Sequence, residues 1–207
     1  MRRFFGSCFS ALTIVSAAMQ CSGCALFRED TQALARPVIV EGEAPHTNAP
    51  WIEVSSRHKR LTVHRPGQSP VVFQGVAFGA AGVREKRAQG DHVTPRGRYT
   101  IGWISKQSKF VNFIGLNYPS VQDAERGYRS GVITQATYSR IRESHAGGSA
   151  PPQTTRLGGF IGIHGVGKGS LEIHRMANWT EGCIALDNDQ IRELVKLVTP
   201  GMLVEIN

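Results

Sequence analysis

The chain is expected to fold as a β-rich α+β domain, and three observations predict it. Short runs of β-branched and aromatic residues crowd both ends of its ordered part, helix-start signals fall between those runs, and 207 residues suffice for one substantial core but not for two. The folded part is expected to begin near Trp51. Trp51-Ile52-Glu53-Val54 and Leu61-Thr62-Val63, split by a polar, basic turn, predict a hairpin. Val71-Val72-Phe73 and Val76-Ala77-Phe78 continue the strand pattern, with Pro66-Gly67 as turn punctuation. Tyr99 to Ile104 alternates as a further strand.

Ser120 followed by Asp123 has the form of a capping box, which predicts a helix through Ala124-Glu125-Arg126. Thr134 is placed to cap a second helix running to about Glu143, with Tyr138 and Ile141 on one side. Ala146 to Pro152 is rich in Gly, Ser and Pro and is expected to be a mobile loop flanking the site. Phe160-Ile161-Gly162-Ile163 predicts a strand that ends in His164-Gly165. Near the C-terminus, Asp187 or Asn188 caps a helix whose Ile191, Leu194, Val195 and Val198 recur at offsets of three, four and seven. That stripe is core and carries no chemistry. Pro200-Gly201 stops the helix before a last strand, Met202 to Ile206. No repeat at a fixed period is visible.

The first residues have another character. Met1-Arg2-Arg3, an uncharged apolar run from Phe4 to Met19 and a small-residue exit form the pattern of a secretory signal. The run is too short and too broken by Gly and Ser to span a membrane. Ser22-Gly23-Cys24 resembles the lipobox of bacterial lipoproteins, although Cys21 stands where that box usually has Leu; cleavage after Ser16-Ala17-Ala18 is the alternative. The expected organisation is a lipoprotein-type signal at 1–23, a lipid-anchored linker at 24–49 and a folded domain at 50–207. Ala25-Leu26 lacks the Asp linked to inner-membrane retention, so an outer-membrane lipoprotein facing the periplasm is expected.

Export changes the meaning of the four cysteines. Cys8 and Cys21 would leave with the signal and Cys24 would carry lipid, so Cys183 becomes a lone thiol in an oxidising compartment. A free Cys packed as a small hydrophobe is the bland alternative. The formal charge is +8, or +6 once Arg2 and Arg3 are lost. No run of five or more Lys/Arg appears, so nucleic acid is not an expected partner, and an anionic wall polymer or membrane surface fits better.

The neighbours of Cys183 point to chemistry. In Trp179-Thr180-Glu181-Gly182-Cys183, a thiol directly after Gly lies where the backbone can turn sharply and admit a carbonyl. The N–H groups of Gly182 and Cys183 can face a developing oxyanion. The thiol needs a base, and His164 at the end of an apolar strand can supply one. His174, nine residues before Cys183, competes for that role. A zinc site of His164, His174 and Cys183 would lack paired close ligands and an obvious fourth, and no metal is expected.

Here the sequence resembles the L,D-transpeptidase family, the YkuD-type catalytic domain. That family has a His-Gly followed, after about fifteen residues, by Ser/Thr-x-Gly-Cys; here residues 165–179 separate His164 from Thr180-Glu181-Gly182-Cys183. A second signature, Thr-Pro-x-Gly-x-aromatic-x-Ile, appears as Thr94 to Ile101. The opening from Trp51, Leu116-Asn117-Tyr118-Pro119 and Leu157-Gly158-Gly159 resemble one branch, so the likeness covers roughly 51–207. It implies a β-sandwich or barrel core with a few inserted helices. It also implies a cysteine enzyme of peptidoglycan with Cys183 as nucleophile and His164 as general acid and base, passing a stem-peptide acyl group through a thioester to a second amine. Gly165, Gly182 and the Cys183 N–H would shape the oxyanion pocket, Thr180 would support the loop or the imidazole, and no cofactor would be needed. A hydrolase of the same fold and an inactive wall-binding lipoprotein are the alternatives.

Two departures bear on substrate. Glu181 stands where relatives often have His or Arg, and Ala185 where many have Arg. Glu181, Arg96 and Trp179 are the candidate substrate contacts, and Arg84, Arg87, Arg98, Lys168 and Arg175 are further candidates to replace the missing cation.

Overall fold

A computed structural model describes residues 48–207, together with the backbone of Val38–Ile39. The expected signal, Cys24 and most of the linker lie outside the described residues. Eleven strands are described: β1 (Val38–Ile39), β2 (Trp51–Ser55), β3 (Arg60–Arg65), β4 (Gln68–Gln74), β5 (Val83–Arg84), β6 (Thr94–Pro95), β7 (Gly97–Ser108), β8 (Val111–Leu116), β9 (Gly162–Gly165), β10 (Ile184–Leu186) and β11 (Leu203–Ile206). The helices are α1 (Val121–Arg129), α2 (Gln135–Ala146), α3 (Leu171–Met176) and α4 (Asn188–Leu197).

Nine strands run in the order β1-β4-β3-β2-β11-β7-β8-β9-β10, and β5 pairs β6 separately. The long β7 joins the halves: Gly97–Thr100 pairs β11, and the rest pairs β8. The far ends then meet. Ala77, just past β4, exchanges two backbone hydrogen bonds with Ala185 of β10 (3.0 and 2.8 Å). The sheet thus curls back on itself around one core and has the β-rich α+β class expected.

Alternation explains that core. Ile52 and Val54, Leu61 and Val63, Ile114 and Leu116, and Val204 and Ile206 sit two apart on their strands and are all completely buried. Ile191 and Leu194 of α4 close it from one side. Each such side chain contributes roughly 1.5–3 kcal/mol by leaving water. Asp187 caps α4 with a full capping box, accepting from Asp189 N and Gln190 N. Ser120 and Asp123 form the box of α1, and the Thr134 hydroxyl accepts from Thr137 N at the start of α2. Ala124 and Ile141 of these two helices form a small satellite core with Ile133 and Leu157 from the connecting segments.

The structure differs from expectation in several places. Val76–Phe78 is no strand but a single bridge at Ala77, because Gly75, at φ +71°, turns the chain out of β4. The second helix runs three residues past Glu143, to Ala146. Neither β8, β10 nor α3 was expected. β8 loses its alternation at Ile114-Gly115-Leu116, all three buried, and β10 is only three residues long, so neither offers a clear alternating pattern. Among the described residues, no helix is long and apolar enough to cross a membrane.

Candidate active site

β9 and β10 are parallel, with Ile163 opposite Ile184 and His164 opposite Ala185. Ile163 and Ile184 are completely buried in the core. Because side chains alternate along a strand, Gly162, His164, Cys183 and Ala185 face the other way. Running the register back one residue sets Cys183 beside Gly162, diagonally across from His164. Ordinary strand spacings put such Cα atoms about 8 Å apart, a gap that an imidazole and a thiol can bridge.

His164 is only 3% exposed. Its ring stacks on Phe110 (centroids 4.2 Å apart) and on Phe113 (6.2 Å), and meets Trp179 edge-on (6.0 Å). Nδ1 lies 2.7 Å from the Gly165 carbonyl, which can only accept, so Nδ1 carries the proton and Nε2 is left basic. Burial pushes the imidazole below its ordinary pKa; the Gly165 hydrogen bond opposes this and the Lys109 charge adds to it. The Gly165 N–H is engaged by the Phe110 carbonyl (3.1 Å). A Cβ at Gly165 would lie 2.7 Å from that carbonyl and 2.8 Å from Asn188 Oδ1, so only glycine fits.

The Cys183 thiol donates to the Phe160 carbonyl at 3.4 Å. Burial pushes it up to about 11, with Gly162 N–H and the Lys86 charge pulling down and the Glu181 charge pushing up. At neutral pH the pair therefore rests as neutral thiol and neutral imidazole, and among the described residues no hydrogen bond joins them. The Thr180 hydroxyl donates to the Cys183 carbonyl (2.6 Å) and accepts from Gly182 N (3.2 Å), so it braces the turn and not the imidazole. Gly182 has φ +139°, and a Cβ there would meet the Val93 carbonyl at 2.8 Å. Thr94, from the Thr-Pro-Arg-Gly segment, accepts from Gly79 N (2.8 Å) and donates to the Cys183 carbonyl (3.4 Å). The two distant motifs thus meet at one carbonyl.

A cleft of about 580 Å³ opens at Cys183, with Lys86, His92, Arg156, Phe160 and Glu181 in its lining. Phe160 (59% exposed) and His92 both hold positive φ (+52° and +53°), and such strained residues gather at functional clefts. Other candidates stand elsewhere. Arg96 is exposed, contacts the Val83 carbonyl and lines a separate hollow with Arg84 and Arg87. Arg98 pairs with Glu205, and Lys168 and Arg175 are exposed away from the cleft lining. Trp179 donates to His174 Nδ1 (3.3 Å); His174 is buried, and burial and nearby charge lower it to about 4. Among the described residues, no three His, Cys, Asp or Glu side chains group to hold a metal ion.

Lys86 was missed by sequence reasoning. It is buried and lines the cleft, whereas Arg84, Glu85 and Arg87 around it are exposed. A charged run gives no sign of which member turns inward; Gly90-Asp91, which supplies its partner carboxylate, is the one nearby signal.

Solved structures share the fold. The helical cell shape determining protein Pgp2 of Campylobacter jejuni superposes with TM-score 0.51 at 18% identity, over 84% of this chain and 50% of that one. Its K307A mutant gives 0.52 with the same identity and coverage. Bd1075 of Bdellovibrio bacteriovorus gives 0.48 at 21% identity, over 84% and 52%. The chain thus spans about half the length of these proteins. No curated protein is similar enough in sequence to count as a relative. The YkuD family model, described as the L,D-transpeptidase catalytic domain, matches residues 49–206, and the chain belongs to that family.

Proposed function

We propose that the chain is a cysteine-dependent L,D-transpeptidase that acts on peptidoglycan stem peptides. The observation that carries this reading is the common face that strand alternation gives His164 of β9 and Cys183, one residue before the parallel β10, with Cys183 in the lining of a cleft. Rotation of the Cys183 side chain exchanges the Phe160 carbonyl for His164 Nε2, which takes the thiol proton. The thiolate attacks the carbonyl carbon of the donor peptide, and the oxyanion forms beside the Cys183 N–H; the Gly182 N–H is already engaged by Thr180. As the C–N bond breaks, the imidazolium returns its proton to the leaving amine and a thioester remains. A second amine then attacks the thioester, the product amide forms and the thiol is restored. Transfer of the same thioester to water would make the protein a carboxypeptidase.

Lipidation at Cys24 and a place on the periplasmic face of the outer membrane belong to the same proposal, with peptidoglycan and the membrane as partners. An N-terminal peptide starting at a lipid-bearing Cys24 would support it, and one starting upstream would refute it.

The test of the chemistry incubates the full chain, and its Cys183→Ala form, with disaccharide-tetrapeptide muropeptides and analyses the products by mass spectrometry. The expected result is cross-linked dimers from the unaltered chain alone. Tripeptides alone would assign hydrolysis. Unchanged substrate with retained wall binding would reduce the protein to a wall-binding lipoprotein.

A further inference from the structure

Lys86 is 5% exposed, an unusual place for an ammonium group. It is held by Asp91, whose Oδ1 accepts from Nζ (2.5 Å) and from Val93 N (3.1 Å), while Oδ2 accepts from Arg87 N (2.8 Å) and Ala88 N (3.2 Å). Desolvation would raise the Asp91 carboxyl, but Lys86 and the three backbone donors outweigh it and hold it below the usual range. The anion is therefore fully occupied with pinning the cation. The cation is not fully occupied. An ammonium has three donors, and among the described residues Lys86 makes one hydrogen bond, to Asp91.

Its position is equally specific. Nζ lies 3.6 Å from where a Cβ on Gly182 would stand, and Cε lies 3.5 Å from the same point on Gly158. Two side-chain-free residues thus leave room for the lysine, and one of them directly precedes Cys183. Lys86 shares the cleft lining with Cys183, together with the cationic Arg156.

In a peptide whose leaving residue is its last, the terminal carboxylate carbon is three bonds from the carbonyl carbon under attack. Its receptor must therefore stand within a few ångströms of the nucleophile's turn. We propose that the Asp91-pinned Lys86 ammonium binds this free α-carboxylate, so that the site selects acyl donors at a chain end over internal peptide bonds. The inference rests on the reading of Cys183 as the nucleophile. Lys86 then acts as a specificity residue, supplying the cation that Ala185 does not.

The test separates binding from chemistry. The full chain carrying Cys183→Ala is titrated calorimetrically with a stem tetrapeptide as the free acid and as its C-terminal amide. The acid is expected to bind about tenfold or more tightly, as a charge-assisted contact requires. Adding Lys86→Gln should abolish the preference, and Lys86→Arg should keep most of it. A preference that survives Lys86→Gln, or none to begin with, overturns the inference. Should Lys86→Gln not fold, Asp91→Asn, which unpins the ammonium, is expected to weaken the preference severalfold; an unaltered preference counts against the proposal.

A parallel assay follows turnover of both peptides by the chain with Cys183 intact, where the acid should be favoured mainly through KM. Equal turnover of acid and amide would sink the inference and leave the enzyme reading standing. No turnover of either peptide would sink the enzyme reading and with it the selection of acyl donors, and a Lys86-dependent binding preference would then show a carboxylate receptor alone.

Discussion

The two flanks of Cys183 are built from opposite materials. On one, the imidazole of His164 is sealed among Phe110, Phe113 and Trp179, with one backbone carbonyl fixing its tautomer. On the other, Lys86 keeps its charge inside the protein by means of a carboxylate that three backbone N–H groups hold in place. The first flank holds its titratable group below its ordinary pKa, so that it rests as a base with a free lone pair. The second holds an ammonium group still. The roles proposed for them, proton carrier and anion receptor, ask for these opposite environments, and neither environment would serve the other's task.

The strongest way to break this contrast is to remove the base. In the proposed mechanism His164→Gln should lower kcat by about 10²–10⁴-fold with little change in KM, measured by product formation from a tetrapeptide donor. A loss confined to KM would make His164 a binding residue instead. Next in size is the turn between the flanks. Gly182→Ala places a Cβ against the Val93 carbonyl at an unfavourable φ, and should cost roughly 1–3 kcal/mol in denaturant unfolding. Thr180→Val, which removes the brace on the Cys183 carbonyl, should cost about 1–2 kcal/mol by the same measurement.

A further prediction concerns His174, which shares the apolar flank. Its folded pKa of about 4 lies below the ordinary 6.5, so the unfolded chain binds the extra proton more readily. Its contribution to stability is then complete above about pH 6.5 and is lost as pH falls toward 4, by up to about 3 kcal/mol. His174→Gln should flatten that slope; an unchanged slope would place the titration elsewhere. The smallest effects are on the proton inventory. With a neutral pair at rest, alkylation of Cys183 by iodoacetamide should keep rising toward pH 11, and a plateau by pH 7 would reveal a preformed thiolate. Phe110→Ala should hydrate His164, raise its pKa toward the ordinary value and move the acid limb of activity to higher pH.

What was legible in the sequence is what local chemistry decides. Ser120, Thr134 and Asp187 cap because a short side chain reaches a backbone N–H two or three residues on, and that reach is written in the spacing. The pairing of Trp51–Ser55 with Arg60–Arg65 follows likewise from alternation and a short turn. The candidate dyad was legible through its motif. Lys86 was not, because the inward turn of one cation among four charges depends on Asp91, Gly158 and Gly182 arriving from three parts of the chain. The exposed Arg96 and Arg98 drew attention for the reverse reason: they sit within a recognisable motif yet face water. The short β10 was hidden because pairing, not propensity, makes it, and α3, although capped by Ser170, is too short at six residues to show a helical period.

The parallel seam between β9 and β10 has one more consequence. Nothing chemical requires fifteen residues between His164 and Thr180; that stretch is a tether that brings one strand back beside another. What must be conserved is phase. A single-residue slip of β10 against β9 would send Cys183 to the core face and bring Ile184 to the cleft. Lengthening the crossover at Lys168–Ser170, where the chain is exposed, should therefore leave the site assembled. Deletion of Ala185 from within β10 would instead put Cys183 one place out of phase with the rest of that strand and dismantle it. The site is, in this sense, a vernier: its working setting is one notch wide, and the buried isoleucines on the reverse face are the detent.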